Sequence, residues 1–229
     1  MIYFSLSSSM EIAAKKILDE VEDDFLIALG SGSSVTKFVE VLGDSNLKVS
    51  VIPSSYQIRL KAEEYGLTTS HLNSTSNIDL DVDGADQIDS QLRMIKGGGG
   101  ALLKEKVLMR ASKKTIIMAS EDKFVEQLNG SVPIEVIPFA KNSTFKILKT
   151  LAGNPKMRIT TKDYPYFTEN GNMIFDTDFG IINDPKKLCG TIKLIPGVVE
   201  CGLFTETIDS IYLTGAHGSV KRIPASIKN

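Results

Sequence analysis

The sequence predicts an α/β protein, a Rossmann-like parallel sheet with helices on both faces, carrying a small inserted α+β domain. Two observations carry the first part. The short apolar runs Phe25 to Leu29 and Lys48 to Ile52 are each followed by a turn rich in small residues and then by a helical pattern, and strand, turn and helix in succession build a parallel sheet. A third observation carries the insertion. From Val132 to about Thr191 the chain reads VPIEVIPFA and then RITTKDYPYFTENGNMIFDTDFG, where Asn170-Gly171 between alternating apolar segments signals a β-hairpin. The expected boundaries are 1–130 with 205–229 for the α/β domain and 131–204 for the α+β domain.

In chain order, Ser9 is a candidate N-cap for a helix from Met10 to about Val21, with Ile12, Ala13, Ile17 and Val21 spaced to bury one face. The strand ending at Leu29 runs into Gly30, Ser31, Gly32, Ser33 and Ser34, and the helical pattern of Val35, Phe38, Val39 and Leu42 follows. Free N–H groups and the helix dipole make such a turn an anion site, and a phosphate fits it; a tight strand-to-helix connection explains the same residues. Neither GxxxxGK[ST] nor the third glycine of GxGxxG is present, so NTP and dinucleotide loops are excluded. Ser54 and Ser55 open a helix to about Tyr65, and Thr115 to Ala119 and Ile211 to Thr214 are further strands.

The stretch from Asp83 to Val107, DGADQIDSQLRMIKGGGGALLKEKV, concentrates the chemistry. Ile78, Leu80 and Val82 lead into it as a strand, and the turn at Gly84 brings Asp83 and Asp86 to the strand's end. Lys96 opens a run of four glycines whose bare backbone can approach a ligand and offer N–H groups to an oxyanion. On the helix from Ala101, Glu105 falls in a sector otherwise made of Ala101, Leu102, Leu108 and Met109. A carboxylate in such a sector, beside a cation and a glycine cradle, suits a group that takes and returns a proton.

Hydrophobic residues at 42% and charged residues at 24% are ordinary for a globular protein, and a net charge of −2 gives no basic footprint for nucleic acid. Two cysteines, Cys189 and Cys201, and two histidines, His71 and His217, are too few and too scattered for a structural zinc site. Both thiols are expected reduced and buried. No run of about 18 apolar residues marks a membrane span, and the N-terminal MIYFSLSSS lacks the features of a signal peptide. A cytoplasmic enzyme without metal or cofactor is expected, acting on a small phosphorylated polyol.

IDLDVDGAD followed by KGGGGALLKEK closely resembles the A-type ribose-5-phosphate isomerases. ALGSGSSV at 28–35 resembles their first glycine-rich loop, VIPSSYQ at 51–57 a second, and IPGVVECGLF at 195–204 their return strand. The resemblance implies reversible aldose–ketose isomerisation of D-ribose 5-phosphate and D-ribulose 5-phosphate through an enediolate, a step of the non-oxidative pentose phosphate pathway, by a homodimer or homotetramer. It implies phosphate and sugar contacts at Ser31, Gly32, Ser33 and Ser34, where relatives commonly carry threonine at the first and last positions. Asp83 and Asp86, with Gly84 and Ala85 between them, would hold the sugar oxygens and assist ring opening. Lys96 with Gly97, Gly98, Gly99 and Gly100 would steady the enediolate, Glu105 would be the general base, and Lys123 would touch substrate. Two positions depart from the pattern: Gln87 stands where DGADE has glutamate, and Met10 and Glu11 stand where some relatives have a lysine near the phosphate, for which Lys15 or Lys16 would substitute. A non-catalytic sugar-phosphate sensor lacks a helix-turn-helix here. A coenzyme A transferase would use its glutamate as nucleophile instead of base.

Overall fold

The structure is a computed structural model that describes residues 6–72 and 77–225. Its elements run α1 (Leu6–Leu18), β1 (Leu26–Leu29), α2 (Ser33–Gly43), β2 (Ser50–Pro53), α3 (Tyr56–Glu64), β3 (Thr68–Thr69), β4 (Leu80–Asp83), β5 (Gln87–Asp89), β6 (Met94–Ile95), α4 (Leu102–Ala111), β7 (Thr115–Ser120) and β8 (Phe124–Val125). There follow β9 (Val132–Val136), α5 (Lys141–Thr150), β10 (Asn154–Met157), β11 (Met173–Asp178), α6 (Pro185–Lys193), β12 (Val198–Cys201), β13 (Leu203–Phe204), β14 (Ser210–Thr214) and β15 (Val220–Pro224). They divide into one unit of Met1–Gly84, Lys104–Lys123 and Thr207–Asn229 and a second of Ala85–Leu103 and Phe124–Glu206.

The first unit is the expected parallel sheet, in the order β15-β14-β7-β4-β1-β2-β3. Every pairing in it is parallel except the hairpin of β14 with β15. All four residues of β4 are buried, as a central strand covered on both faces requires. Strand periodicity then sorts the core. Ile27, Leu29, Val51, Leu80, Val82, Ile116 and Met118 pack with Ile17 of α1, Phe38 and Leu42 of α2 and Ile58 of α3. The alternate residues Ala28 and Ile52, with Ile78, meet Leu108 of α4 on the other face. Phe38 is fully buried, and its truncation to alanine would cost about 3–5 kcal/mol.

One local expectation is corrected. The first helix begins at Leu6, before Ser9, so Ser9 caps nothing; its buried hydroxyl donates to the Gly215 carbonyl at 2.9 Å and accepts from the Gly218 amide at 3.2 Å. A distant turn thus supplies partners that a cap would have supplied locally. The antiparallel edge strand β15 carries no apolar sequence signal, because its charged pair Lys221 and Arg222 breaks the pattern. Ser55, by contrast, caps α3, accepting from the Ile58 amide at 3.3 Å. Beside α1, Glu20 accepts hydrogen bonds from Lys114 Nζ and Tyr212 Oη, and Arg222 Nε lies 3.3 Å from its Oε1.

The second unit holds two four-stranded sheets. In β10-β11-β9-β12 every pairing is antiparallel, and Ile134, Val136 and Phe175 pack with Leu148 of α5 and Ile192 of α6. The Asn-Gly turn is where the sequence places it: Gly171 has φ of 77° and its amide donates to the Thr168 carbonyl at 2.9 Å. Buried Glu135 ties this reversal to β9, its Oε1 accepting from Thr168 Oγ1, Asn170 Nδ2 and Asn172 Nδ2 at 2.8, 3.0 and 2.9 Å. The other sheet, β13-β6-β5-β8, draws residues 85–103 and 124–130 into this unit, whereas the expected boundary lay at 130/131. Strands of two or three residues carry too little periodicity to be read ahead of the structure.

Candidate active site

In the first unit the predicted residues gather at the carboxyl ends of β1, β4 and β7, the edge at which open α/β sheets bind ligands. Asp83 ends β4 and is fully buried. Its Oδ1 accepts from the Gly84 amide at 2.7 Å, and the carboxylate rests on Gly30, where a Cβ would fall 1.7 Å from Oδ1. Glycine at position 30 is the condition for an aspartate at position 83. Gly84 lies against the same loop: a Cβ there would contact the Ser31 carbonyl oxygen and Ser34 Cβ at 3.8 Å. Beyond Gly32, whose φ is 91°, α2 starts with no side-chain cap, and Gly32 and Ser33 are exposed. That leaves an uncapped helix N-terminus flanked by hydroxyls.

Glu105 sits in the first turn of α4 and is 2% exposed. Ala101, Leu102, Leu108 and Met109 are buried with it, as the helical spacing requires. Lys106, at 4% exposure, is buried too, so Glu105 is not the only charge on the buried side of this helix. The Ser31 hydroxyl donates a short hydrogen bond to Glu105 Oε1. The resemblance implies a ligand contact at Ser31, and in the structure its hydroxyl donates to the Glu105 carboxylate. Lys123 closes a 3₁₀ turn just after β7, half-buried, on the same sheet edge. Asp79 has a structural partner set: Oδ2 accepts from the Leu26 amide at 2.9 Å and Oδ1 from Lys113 Nζ at 2.8 Å, and these bonds hold its carboxyl below the usual range.

The second unit carries Ala85, Asp86, Lys96 and the glycine run. Ala85 is buried and Asp86 exposed. Asp86 Oδ2 accepts from the Gly98 amide at 2.8 Å, and a Cβ at Gly98 would fall 2.7 Å from Asp86 Oδ1. The Gly100 amide donates to the Gly97 carbonyl at 3.0 Å. Two of the four amides expected to face an oxyanion are therefore engaged within the protein. Lys96 is 2% exposed; its amide donates to the Gly202 carbonyl at 2.9 Å and its ammonium lies 5.4 Å from the Phe204 ring centre.

Three side chains that the sequence did not single out grip this run. Arg158 donates to the carbonyls of Gly97 and Gly98, and Tyr166 to that of Gly99 at 3.3 Å. Asp176 holds Arg158, and burial raises the Tyr166 phenol above its ordinary value, keeping it a donor. Only the alternation around the Asn-Gly turn marked that region, and it identifies strands without saying what they touch. Gln87, the departure from DGADE, accepts from the Asn129 and Gly130 amides at 3.0 and 2.8 Å through Oε1, and its Nε2 donates to Asn129 Oδ1 at 2.8 Å. Among the described residues, no group of three or more His, Cys, Asp or Glu is placed to hold a metal ion. Cys189 and Cys201 are not in a disulfide; the first is only partly buried and its Sγ donates to the Leu203 carbonyl at 3.6 Å. No described helix is long and apolar enough to cross a membrane.

Comparison with known proteins agrees along nearly the whole chain. The family profile of Ribose 5-phosphate isomerase A (phosphoriboisomerase A) matches residues 50–218. The ribose-5-phosphate isomerase A of Methanosarcina acetivorans is 39% identical over 89% of this chain and 88% of its own, and that of Archaeoglobus fulgidus is 39% identical over 94% and 98%. Among solved structures, a D-ribose-5-phosphate isomerase in complex with phospho-erythronic acid superposes with a TM-score of 0.91 at 34% identity, covering 98% of this chain and 100% of that one. The ribose 5-phosphate isomerase A of Methanocaldococcus jannaschii gives 0.90 at 32% identity, covering 96% and 100%. On motifs, fold and similarity together, this chain belongs to the ribose 5-phosphate isomerase A family.

Proposed function

We propose that Glu105 is the base with which this isomerase interconverts ribose 5-phosphate and ribulose 5-phosphate. The aldose–ketose isomerisation itself is that of the family. In it the C2 hydrogen leaves as a proton, the electron pair forms an enediolate, and the proton returns at C1 while the O2 proton passes to O1. The observation that carries the assignment to Glu105 is its geometry: a buried carboxylate in the first turn of α4, oriented by the Ser31 hydroxyl. A base held in one orientation loses no reorganisation energy when the proton moves.

The remaining groups take the roles that this chemistry needs. Lys96 neutralises the enediolate, Asp83 and Asp86 hold the sugar hydroxyls and assist ring opening, and Lys123 contacts the substrate. Ser33, Ser34 and the uncapped start of α2 receive the phosphate, a reading supported by the exposed Gly32–Ser33 backbone. A phosphorylated sugar acid, such as the one bound in the similar isomerase structure, offers a planar carboxylate of the charge and shape of an enediolate.

Glu105→Gln tests the assignment. The amide preserves shape and still accepts from Ser31 but cannot take the C2 proton, so kcat should fall by a factor of about 10² to 10⁴ with KM little changed. Exchange of the C2 hydrogen with solvent should disappear with it. Retention of near wild-type kcat, or of that exchange, would remove Glu105 from the role of base.

A further inference from the structure

Arg158 is engaged on both edges of its guanidinium. Nη1 donates to the Gly97 and Gly98 carbonyls, at 3.0 Å each, while Nε and Nη2 donate to Asp176 Oδ2 and Oδ1 at 2.9 and 2.5 Å. The fork also lies 5.7 Å from the Tyr166 ring centre. A planar group tied to a carboxylate on one side and two carbonyls on the other has one orientation. In a trans peptide the carbonyl and the following N–H point in opposite directions, and no cis peptide occurs among the described residues. Holding the Gly97 carbonyl therefore aims the Gly98 N–H away from Arg158, and that N–H donates to Asp86 Oδ2 at 2.8 Å. Asp86 is exposed, and its carboxylate is oriented by this bond together with the Gly98 backbone that lies against Oδ1.

We propose that Arg158 is a positioning residue for the isomerisation, holding the 97–98 peptide plane so that the Gly98 amide sets the Asp86 carboxylate for the substrate. The proposal rests on the reading above that Asp86 touches substrate. Asp176 orients Arg158 in turn, so the path runs from β11 through a guanidinium and one peptide plane to a carboxylate.

The test is a double-mutant cycle on the full chain, with kcat and KM measured for Arg158→Ala, Arg158→Lys, Asp86→Ala and both double variants, and thermal melts for all. Arg158→Ala should lower kcat about 10- to 100-fold, the size of a misplaced group's effect, and added guanidinium should restore part of it. Arg158→Lys keeps the charge but cannot span both carbonyls and Asp176, so it should fall between. In the Asp86→Ala background either Arg158 substitution should lower kcat less than about threefold, because the group it positions is gone. An equal loss in both backgrounds would overturn the proposal, as would wild-type kcat in Arg158→Ala. If Arg158→Ala melts below the assay temperature, the lysine arm of the cycle decides by the same criterion. Should Asp86→Ala and Glu105→Gln both leave kcat intact, the site reading fails instead, a result distinct from additivity.

Discussion

Two glycine-bearing turns of similar composition do opposite work. In Gly30–Ser34 the Gly30 amide donates to the Val82 carbonyl and the Gly32 carbonyl accepts from Thr36, but Gly32 and Ser33 are exposed and α2 starts without a side-chain cap. In Gly97–Gly100 the backbone is occupied: three carbonyls accept from Arg158 and Tyr166, and two amides donate to Asp86 and Gly97. The first turn opens a helix without a side-chain cap, while the second uses the absence of side chains to let neighbours close in on it. A run of glycines therefore says that something approaches the backbone, without saying whether it is substrate or protein.

Substitutions should separate the two uses. The largest effect is expected at Gly30, where a methyl group would overlap Asp83 Oδ1 at 1.7 Å. Gly30→Ala should abolish measurable turnover and lower the melting temperature, and a variant with near-normal kcat would break the dependence of Asp83 on that glycine. Next is Gly98→Ala, whose Cβ would meet Asp86 Oδ1 at 2.7 Å. It should lower kcat about 10- to 100-fold with little change in KM, as the role proposed for Asp86 requires. Ser33→Ala in the open turn should do the reverse, raising KM for the phosphosugar a few-fold while kcat stays near wild type, because it weakens ground-state and transition-state binding alike. A kcat loss at Ser33 as large as at Gly98 would erase the distinction.

A control away from both turns is Tyr212→Phe, which removes the donor to Glu20. A hydrogen bond to a charged group contributes about 1.5–3 kcal/mol, so stability should fall by that order with kinetics unchanged. The pH dependence follows by sign. Burial alone would raise the Glu20 carboxyl, but the bonds from Lys114 and Tyr212 and the charges of Lys114 and Arg222 outweigh it and hold it below its ordinary value of 4.5. Its contribution is then present above pH 4.5 and lost as pH falls through the lowered value. Burial, and then the bond to Glu20, push the Tyr212 phenol up to about 12. Its contribution is full below its ordinary value of 10.0 and lost as pH rises towards about 12. Acid and alkaline melts of Tyr212→Phe should therefore converge on wild type at both extremes. The smallest effect is expected for Gln87→Glu, since a carboxylate can still accept from the Asn129 and Gly130 amides; kcat should change less than about twofold.

How much of this was legible follows from the range of each signal. The parallel sheet and the alternation that buries Leu80 and Val82 against one face are local periodicities, and they appear where the sequence places them. Glu105 was legible for the same reason, since helical spacing alone puts it among Leu102, Leu108 and Met109. Ser31's bond to Glu105 spans 74 residues and Arg158's bond to Gly97 spans 61, and no local pattern encodes such pairs. The same limit hid the β13-β6-β5-β8 sheet, whose strands of two or three residues owe their existence to distant partners.

The order in which the sheet of the first unit is completed has a consequence for the chain as it is made. Strand β7 is buried along its first five residues and pairs over Ile116 to Ser120 with β14, which lies some ninety residues later, after the whole second unit. During synthesis, at the usual 5–20 residues per second, TIIMAS therefore waits several seconds with one edge unpaired. An apolar strand with an open edge is a template for pairing with another nascent chain. The interval between those two strands sets how long that edge is open to pairing with another nascent chain.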